Sequence, residues 1–231
     1  MLNKLKTNIE LWYSAFLVSG IFGFPKFLKD YIIIKRQVDM RIASLNKYKL
    51  SNPGESFEKY LDTNFWICET LIRFYNLNLH QMTRKLRILD LGTGFGYFPF
   101  ICNYYGHMAE SIDMGNNELY NSTILALDVL RYDQTIHAYT KLDLNKKYDL
   151  ITAFMICFNG HKSSDLWHIK EWDFFLESLK ENNLLRGGKV FLSFNQESNT
   201  NSTFTPSLLG YFSSRNAKIT NNNVSLFFKD N

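Results

Sequence analysis

From Lys26 to Leu45 apolar residues recur as Phe27, Leu28, Tyr31, Ile32, Val38, Ile42 and Leu45, with Lys29, Lys35, Arg36 and Arg41 outside the stripe. That three-and-four spacing predicts an amphipathic helix. Ser51-Asn52-Pro53-Gly54 reads as a break and a new helix start. Phe57, Leu61, Phe65, Cys68, Ile72 and Tyr75 then mark the buried face of a second helix. From Arg87 onward short apolar runs alternate with helical patterns, which predicts a mainly parallel sheet with helices on its faces. Strands are expected near residues 87–91, 108–112, 135–139, 148–156 and 189–194. Helices are expected after Gly96, over 117–131 and over 165–185, the last capped by Ser163 or Ser164. Lys218 to Thr220 and Val224 to Phe228 flank Asn221-Asn222-Asn223, a cluster suited to a hairpin turn, and Ser198 to Thr205 reads as a polar loop. No internal repeat or low-complexity block interrupts this order.

A chain of 231 residues with 45% apolar content fits one globular domain with an added helical segment. Its net charge of +4 is uneven: residues 1–50 hold nine Lys and Arg against three Asp and Glu, so the remainder is net −2. The basic arm can meet phosphates, anionic lipid or an acidic partner, or it is a solvated helix face. The apolar stretch Leu11 to Phe24 falls short of the roughly twenty residues a membrane span needs, and Gly20, Gly23 and Pro25 interrupt it. Lys4 and Lys6 precede it as in a signal peptide, but no A-x-A-like cleavage site follows. Cys68, Cys102 and Cys157 show no metal or redox spacing, which suits reduced thiols in a cytoplasmic protein. The N-x-[ST] matches at Asn121, Asn201 and Asn223 carry no meaning there.

The strongest chemical signal is Ile88-Leu89-Asp90-Leu91-Gly92-Thr93-Gly94-Phe95-Gly96-Tyr97, an apolar strand that turns through three glycines into a helix. The glycines permit a tight turn and close approach of a ligand. A dinucleotide site reads G-x-G-x-x-G, with its third glycine where Tyr97 stands, whereas this turn reads G-x-G-x-G. Asp90 would repel a pyrophosphate and attract an ammonium group. Seventeen residues after Gly96, the second strand ends in Asp113, a carboxylate able to accept from both hydroxyls of a ribose. Two acids bracketing an adenosyl ligand predict S-adenosylmethionine binding.

On these residues the chain resembles the class I adenosylmethionine-dependent methyltransferases. Asp90, Gly92, Gly94 and Gly96 match the family's first acidic strand and glycine turn, and Asp113 its ribose-binding acid. Tyr148 to Phe154 resembles the fourth strand, and Leu185-Arg186-Gly187-Gly188 the turn before the fifth. The likeness covers residues 87–228 and departs at the third strand, where the family's adenine-contacting acid is delayed to Asp143. It implies a Rossmann-like α/β fold with a seven-stranded, mainly parallel sheet and a terminal antiparallel hairpin. A methyltransferase domain would span residues 81–231, and an N-terminal helical extension, residues 1–80, would cover the pocket. The cofactor site would comprise Asp90, Gly92, Thr93, Gly94, Gly96, Asp113, Met114 and Phe154.

For the chemistry, His161 in the stretch Met155 to His161 after the fourth strand is the candidate general base, because its ordinary pKa lies near neutrality. The competing reading is a residue that caps or orients its loop. His161, Asp165 and His168 would share one face of a helix that began early, a lesser reading as a metal site. The Asn/Asp-Pro-Pro-aromatic pattern and a Pro-Cys nucleophile are absent, which sets aside exocyclic-amine and pyrimidine C5 methylation. Of Trp167, Trp172, Phe174 and Phe175, most read as core, and one or two as a face for a planar or sugar-like acceptor. Asn159-Gly160-His161 and Glu171 to Leu176 also resemble small bacterial methyltransferases of surface-glycan pathways. The expected activity is O-methylation of a small-molecule or carbohydrate-like acceptor. The rivals are an RNA methyltransferase using the basic arm, and an inactive methyltransferase-like protein that binds cofactor or membrane.

Overall fold

A computed structural model describes residues 2–45, 58–156, 167–195 and 203–228. The chain forms two compact units, one from the spans 1–85, 94–108 and 115–130, the other from 86–93, 109–114 and 131–231.

The first unit is helical. Helix α1 (Leu2–Arg41) swallows the helix expected from Lys26 and continues through the apolar stretch before it, so that stretch belongs to a helix long and apolar enough to cross a membrane by length and composition. The expected breakers fail because Gly20 alone leaves helical geometry, at φ 67° and ψ 170°, and the helix resumes beyond it. Phe27, Ile34 and Val38 are fully buried, the spacing of one face. Each such side chain contributes about 1.5–3 kcal/mol through its apolar area. They pack with α2 (Thr63–Asn76), whose buried residues include Ile67, Cys68, Leu71, Ile72 and Tyr75. Phe27 and Tyr75 meet edge to face at 5.0 Å. Beneath them Asp30 accepts from the hydroxyls of Tyr75 and Tyr105. The expected break at 51–54 and Phe57 lie outside the described residues. Helices α3 (Tyr97–Tyr104) and α4 (Glu118–Leu127) complete the unit, and Asn117 caps α4 by accepting from the Tyr120 amide at 3.0 Å. Cys68 and Cys102 are buried and form no disulfide among the described residues, and burial, helped by Glu69, pushes the Cys68 thiol up to about 12.

The second unit holds a seven-stranded sheet of β1 (Arg87–Leu91), β2 (Met108–Asp113), β3 (Arg131–Asp133), β4 (Tyr148–Ile156), β5 (Leu184–Phe194), β6 (Lys218–Thr220) and β7 (Asn223–Phe227), in the order β3-β2-β1-β4-β5-β7-β6. Pairing is parallel at β1/β4, β2/β3 and β4/β5, and β7 runs antiparallel to β5 and β6, as the family likeness implies. Helices α5 (Ile169–Ser178) and α6 (Pro206–Ser214) belong to this unit. Trp167, Trp172, Phe175, Leu176 and Phe212 are buried with Ile151, Val190 and Leu192 of the sheet, so three of the four aromatic candidates, Trp167, Trp172 and Phe175, are core.

Four expectations need correction. The third strand is Arg131–Asp133, not 135–139: Asp128 adopts a left-handed conformation (φ 56°) that ends α4 early, and Tyr139 at φ 60° cannot be extended. The polar tripeptide is held as a strand by pairing with Ser111–Asp113 and by the Tyr132 hydroxyl, which donates to Glu110 at 3.1 Å. The helix expected over 165–185 runs only from Ile169 to Ser178, followed by a π turn over Leu179–Asn183. Its N-cap is His168, whose amide donates to the Glu171 carboxylate at 2.9 Å, rather than a serine. His168 therefore stands at the cap and not on a helical face shared with His161 and Asp165, which lie outside the described residues. Strand β5 begins at Leu184, five residues early, because Gly187 (φ 72°) lets Leu185 to Gly188 bulge out between two paired stretches. Finally, α6 was not anticipated. Its signal is Thr205-Pro206, a cap followed by a first-turn proline, with the Thr205 hydroxyl accepting from the Leu208 amide at 3.2 Å.

Candidate functional site

In the strand order the chain leaves β1 toward β2 and β3, then crosses back to β4 on the other side of β1. Open α/β sheets bind ligands at the carboxyl ends of strands beside such a reversal. Asp90 lies there on β1 in register with Thr152 on β4, and the Thr152 hydroxyl donates to its carboxylate at 2.7 Å. Asp90 is only 3% exposed. A carboxylate so far from water is favoured by hydrogen-bond donors or a cation beside it.

The turn that follows is tethered to the end of β2, the Gly92 and Thr93 amides both donating to the Ile112 carbonyl at 2.8 and 3.3 Å. The Thr93 hydroxyl is buried and has no hydrogen-bond partner among the described residues. Such an oxygen costs about 1–3 kcal/mol unless a donor or acceptor reaches it. One residue past Ile112, Asp113 accepts from the Met114 amide at 2.7 Å. A carboxylate offers about four lone-pair sites and can accept several such bonds at once. Met114 is half exposed. On β4, the Phe154 ring lies 5.5 Å from that of Phe191. The next residue, Met155, sits at φ 58° where the β4/β5 register shifts, and its carbonyl accepts from the Asn195 side chain at 2.7 Å. A methionine held in the left-handed region costs roughly 1–3 kcal/mol, and such strain gathers at functional sites. The second unit thus brings Asp90, Gly92, Thr93, Asp113, Met114 and Phe154 to strand ends of one sheet.

Gly94 and Gly96 belong to the first unit. Gly96 at φ 75° is the cap of α3, and a Cβ there would stand 2.4 Å from Cδ1 of Ile124. Between the glycines Phe95 meets Tyr60, 5.4 Å between ring centres, and the Tyr97 hydroxyl donates to the Tyr60 carbonyl at 2.9 Å. Burial pushes that hydroxyl's pKa well above its usual value. Tyr97 itself is 5% exposed, so a side chain fills the position where a dinucleotide loop would have its third glycine. The candidate base, His161, lies outside the described residues.

Thr152, Met155, Asn195 and Tyr60 were not singled out from the sequence. Only Thr152 left a signal there, a hydroxyl inside the apolar run Leu150 to Phe154. A second polar group lies partly buried on β2: Glu110 accepts from Lys146 and Tyr148, each at 2.8 Å. Burial works to raise this carboxyl, but Lys146 and the Tyr148 and Tyr132 hydroxyls outweigh it and hold the group below its ordinary pKa.

The chain matches no protein-family profile and no curated protein. Its fold does match solved structures. Magnesium protoporphyrin IX methyltransferase (ChlM) from Synechocystis PCC 6803, solved with bound SAH, is 11% identical, with a TM-score of 0.51 over 87% of this chain and 100% of that one. A TehB-like SAM-dependent methyltransferase from Corynebacterium glutamicum is 15% identical, with a TM-score of 0.47 over 67% of this chain and 86% of that one. The protein has the Rossmann-like fold of the class I methyltransferases, with the strand order and reversed β7 described above.

Proposed function

We propose that the protein is an S-adenosylmethionine-dependent methyltransferase acting on oxygen of a small-molecule or carbohydrate-like acceptor. The observation that carries the reading is the pair of carboxylates at adjacent strand ends, Asp90 and Asp113, on either side of a three-glycine turn. Adenosylmethionine supplies a methyl group already activated on a sulfonium. Buried Asp90, oriented by Thr152, draws the ammonium end; Asp113 accepts from the ribose hydroxyls; Thr93 has a buried hydroxyl suited to a polar ligand atom. Gly92, Gly94 and Gly96 give the turn its left-handed conformations, and Met114 and Phe154 supply apolar surface beside the carboxylates. Displacement at the sulfonium then needs mainly alignment, and His161 takes the acceptor's hydroxyl proton.

Calorimetric titration tests the cofactor reading. Adenosylmethionine is expected to bind and NAD not, and Asp113→Ala is expected to weaken binding about tenfold, the value of one or two charge-assisted hydrogen bonds. A folded protein that ignores adenosylmethionine would overturn the reading. With a hydroxyl acceptor, His161→Ala is expected to lower kcat by about 10²–10⁴-fold at neutral pH while leaving cofactor affinity intact. Unchanged turnover and acceptor affinity would remove His161 from the chemistry.

A further inference from the structure

Helix α1 buries one side and presents the other to solvent with a composition that ordinary helix surfaces lack. In its first segment Ile9, Tyr13, Phe16 and Leu17, followed by Ile21 and Phe22 at the kink, are exposed, Leu17 by 60% and Phe22 by 98%. The first four follow i, i+4, i+7, i+8, the spacing of an amphipathic stripe, yet this stripe faces water while Leu11 and Ala15 face the protein. Beyond the kink, Phe27, Ile34 and Val38 occupy the packed side. The open side reads Lys29, Ile32, Arg36, Met40, cations interleaved with apolar side chains that are each 62% exposed. The acids of this segment are engaged elsewhere: Asp30 is buried beneath Tyr75 and Tyr105, and Asp39 holds Lys35 and the Thr63 hydroxyl.

We propose that this open face of α1 docks on an anionic membrane surface, with the helix lying in the plane of the interface. Charge complementarity selects the occupant. Residues 1–50 carry net +6 while the rest of the chain is net −2, so attraction to anionic headgroups is concentrated where the apolar side chains are exposed. Nucleic acid would satisfy the cations and leave Phe22, Ile21 and Leu17 in water. A second copy meeting this face symmetrically would set its Lys29 and Arg36 against their own like. The packed side holds α1 to its unit through Phe27, Ile34 and Val38, which fits a helix lying on a bilayer rather than passing through one.

The test is co-sedimentation of the full chain with phosphatidylcholine vesicles, with and without roughly one-third phosphatidylserine. The protein is expected to partition to the anionic vesicles at least about tenfold better, and to be released by high salt. Lys29→Glu with Arg36→Glu is expected to lower partitioning more than about tenfold, since each cation near such a surface is worth roughly fivefold. Ile21→Ser with Phe22→Ser is expected to lower it by a similar factor. Both variants alter exposed side chains, so their thermal midpoints should match the parent and establish folding. Equal partitioning to neutral vesicles, no partitioning, indifference to either variant, or retention after a high-salt wash would each overturn the proposal. So would salt-sensitive RNA binding or self-association in place of vesicle binding. The measurement needs no cofactor, so its failure is distinct from failure of the titration above.

Discussion

Gly96→Ala is expected to lower the free energy of unfolding by about 2–4 kcal/mol, read as a shift of the urea midpoint at unchanged slope. Two independent effects add. The residue sits at φ 75°, where a Cβ costs roughly 1–2 kcal/mol. The new atom would also stand 2.4 Å from Cδ1 of Ile124, which is only 6% exposed and has little room to turn away, so overpacking adds about 1–3 kcal/mol. Gly94→Ala is the internal control. Its φ of 56° carries the same backbone cost, but its Cβ would meet only the Tyr120 ring at 3.9 Å, an ordinary contact. The difference between the variants therefore measures packing alone. Equal losses would mean that Ile124 yields and that Gly96 is required for its dihedral angles only.

Asp90→Asn is expected to weaken adenosylmethionine binding by roughly 2–4 kcal/mol, about thirty- to a thousandfold, because it deletes the charge of a buried pair and keeps the shape. The amide oxygen of Asn can still accept from Thr152, so the strand pairing and the turn should survive. Stability of the apo protein should change little, since the amide nearly matches the carboxylate in shape and keeps the Thr152 bond. That split distinguishes a ligand-binding carboxylate from a structural one. If calorimetry finds affinity unchanged while urea unfolding finds a large loss of stability, Asp90 is a scaffold residue and the ammonium is held elsewhere.

Together these substitutions separate the two jobs of one short segment. Gly96 opens a helix and holds it close to Ile124, and Asp90 ends a buried run with a charge. A single stretch of ten residues carries both because a strand that turns sharply into a helix must spend glycines at the bend, and the bend is where a ligand comes nearest the backbone.

Much of this was legible in the residues themselves. Strands β1 and β4 lie where their apolar runs place them, the terminal hairpin turns at Asn221 and Asn222, and the three turn glycines all adopt positive φ. These signals are local: a continuous apolar run, a turn residue or a glycine states its own backbone preference within a few positions. Asp90 and Asp113 were legible for the same reason, each being an acid at or next to the end of a strand-like run. Helix α6 carries its own local signal in Thr205-Pro206, although the polar segment Ser198 to Thr205 before it reads as a loop.

What only the tertiary structure decided depends on partners far along the chain. Arg131-Tyr132-Asp133 has no strand-like composition and becomes β3 because β2 offers it an edge and Glu110, twenty-two residues away, accepts the Tyr132 hydroxyl. Thr152 is an unremarked hydroxyl until the parallel register sets it against Asp90, sixty-two residues earlier. Gly20 and Pro25 read as helix breakers, yet packing of Phe27, Ile34 and Val38 carries α1 through a kink, since burial of that face outweighs the local cost of one non-helical residue. Which side of α1 faces water was equally closed to sequence reasoning. Periodicity marks the apolar positions of a helix, and only the protein packed against it determines which of them remain to be covered.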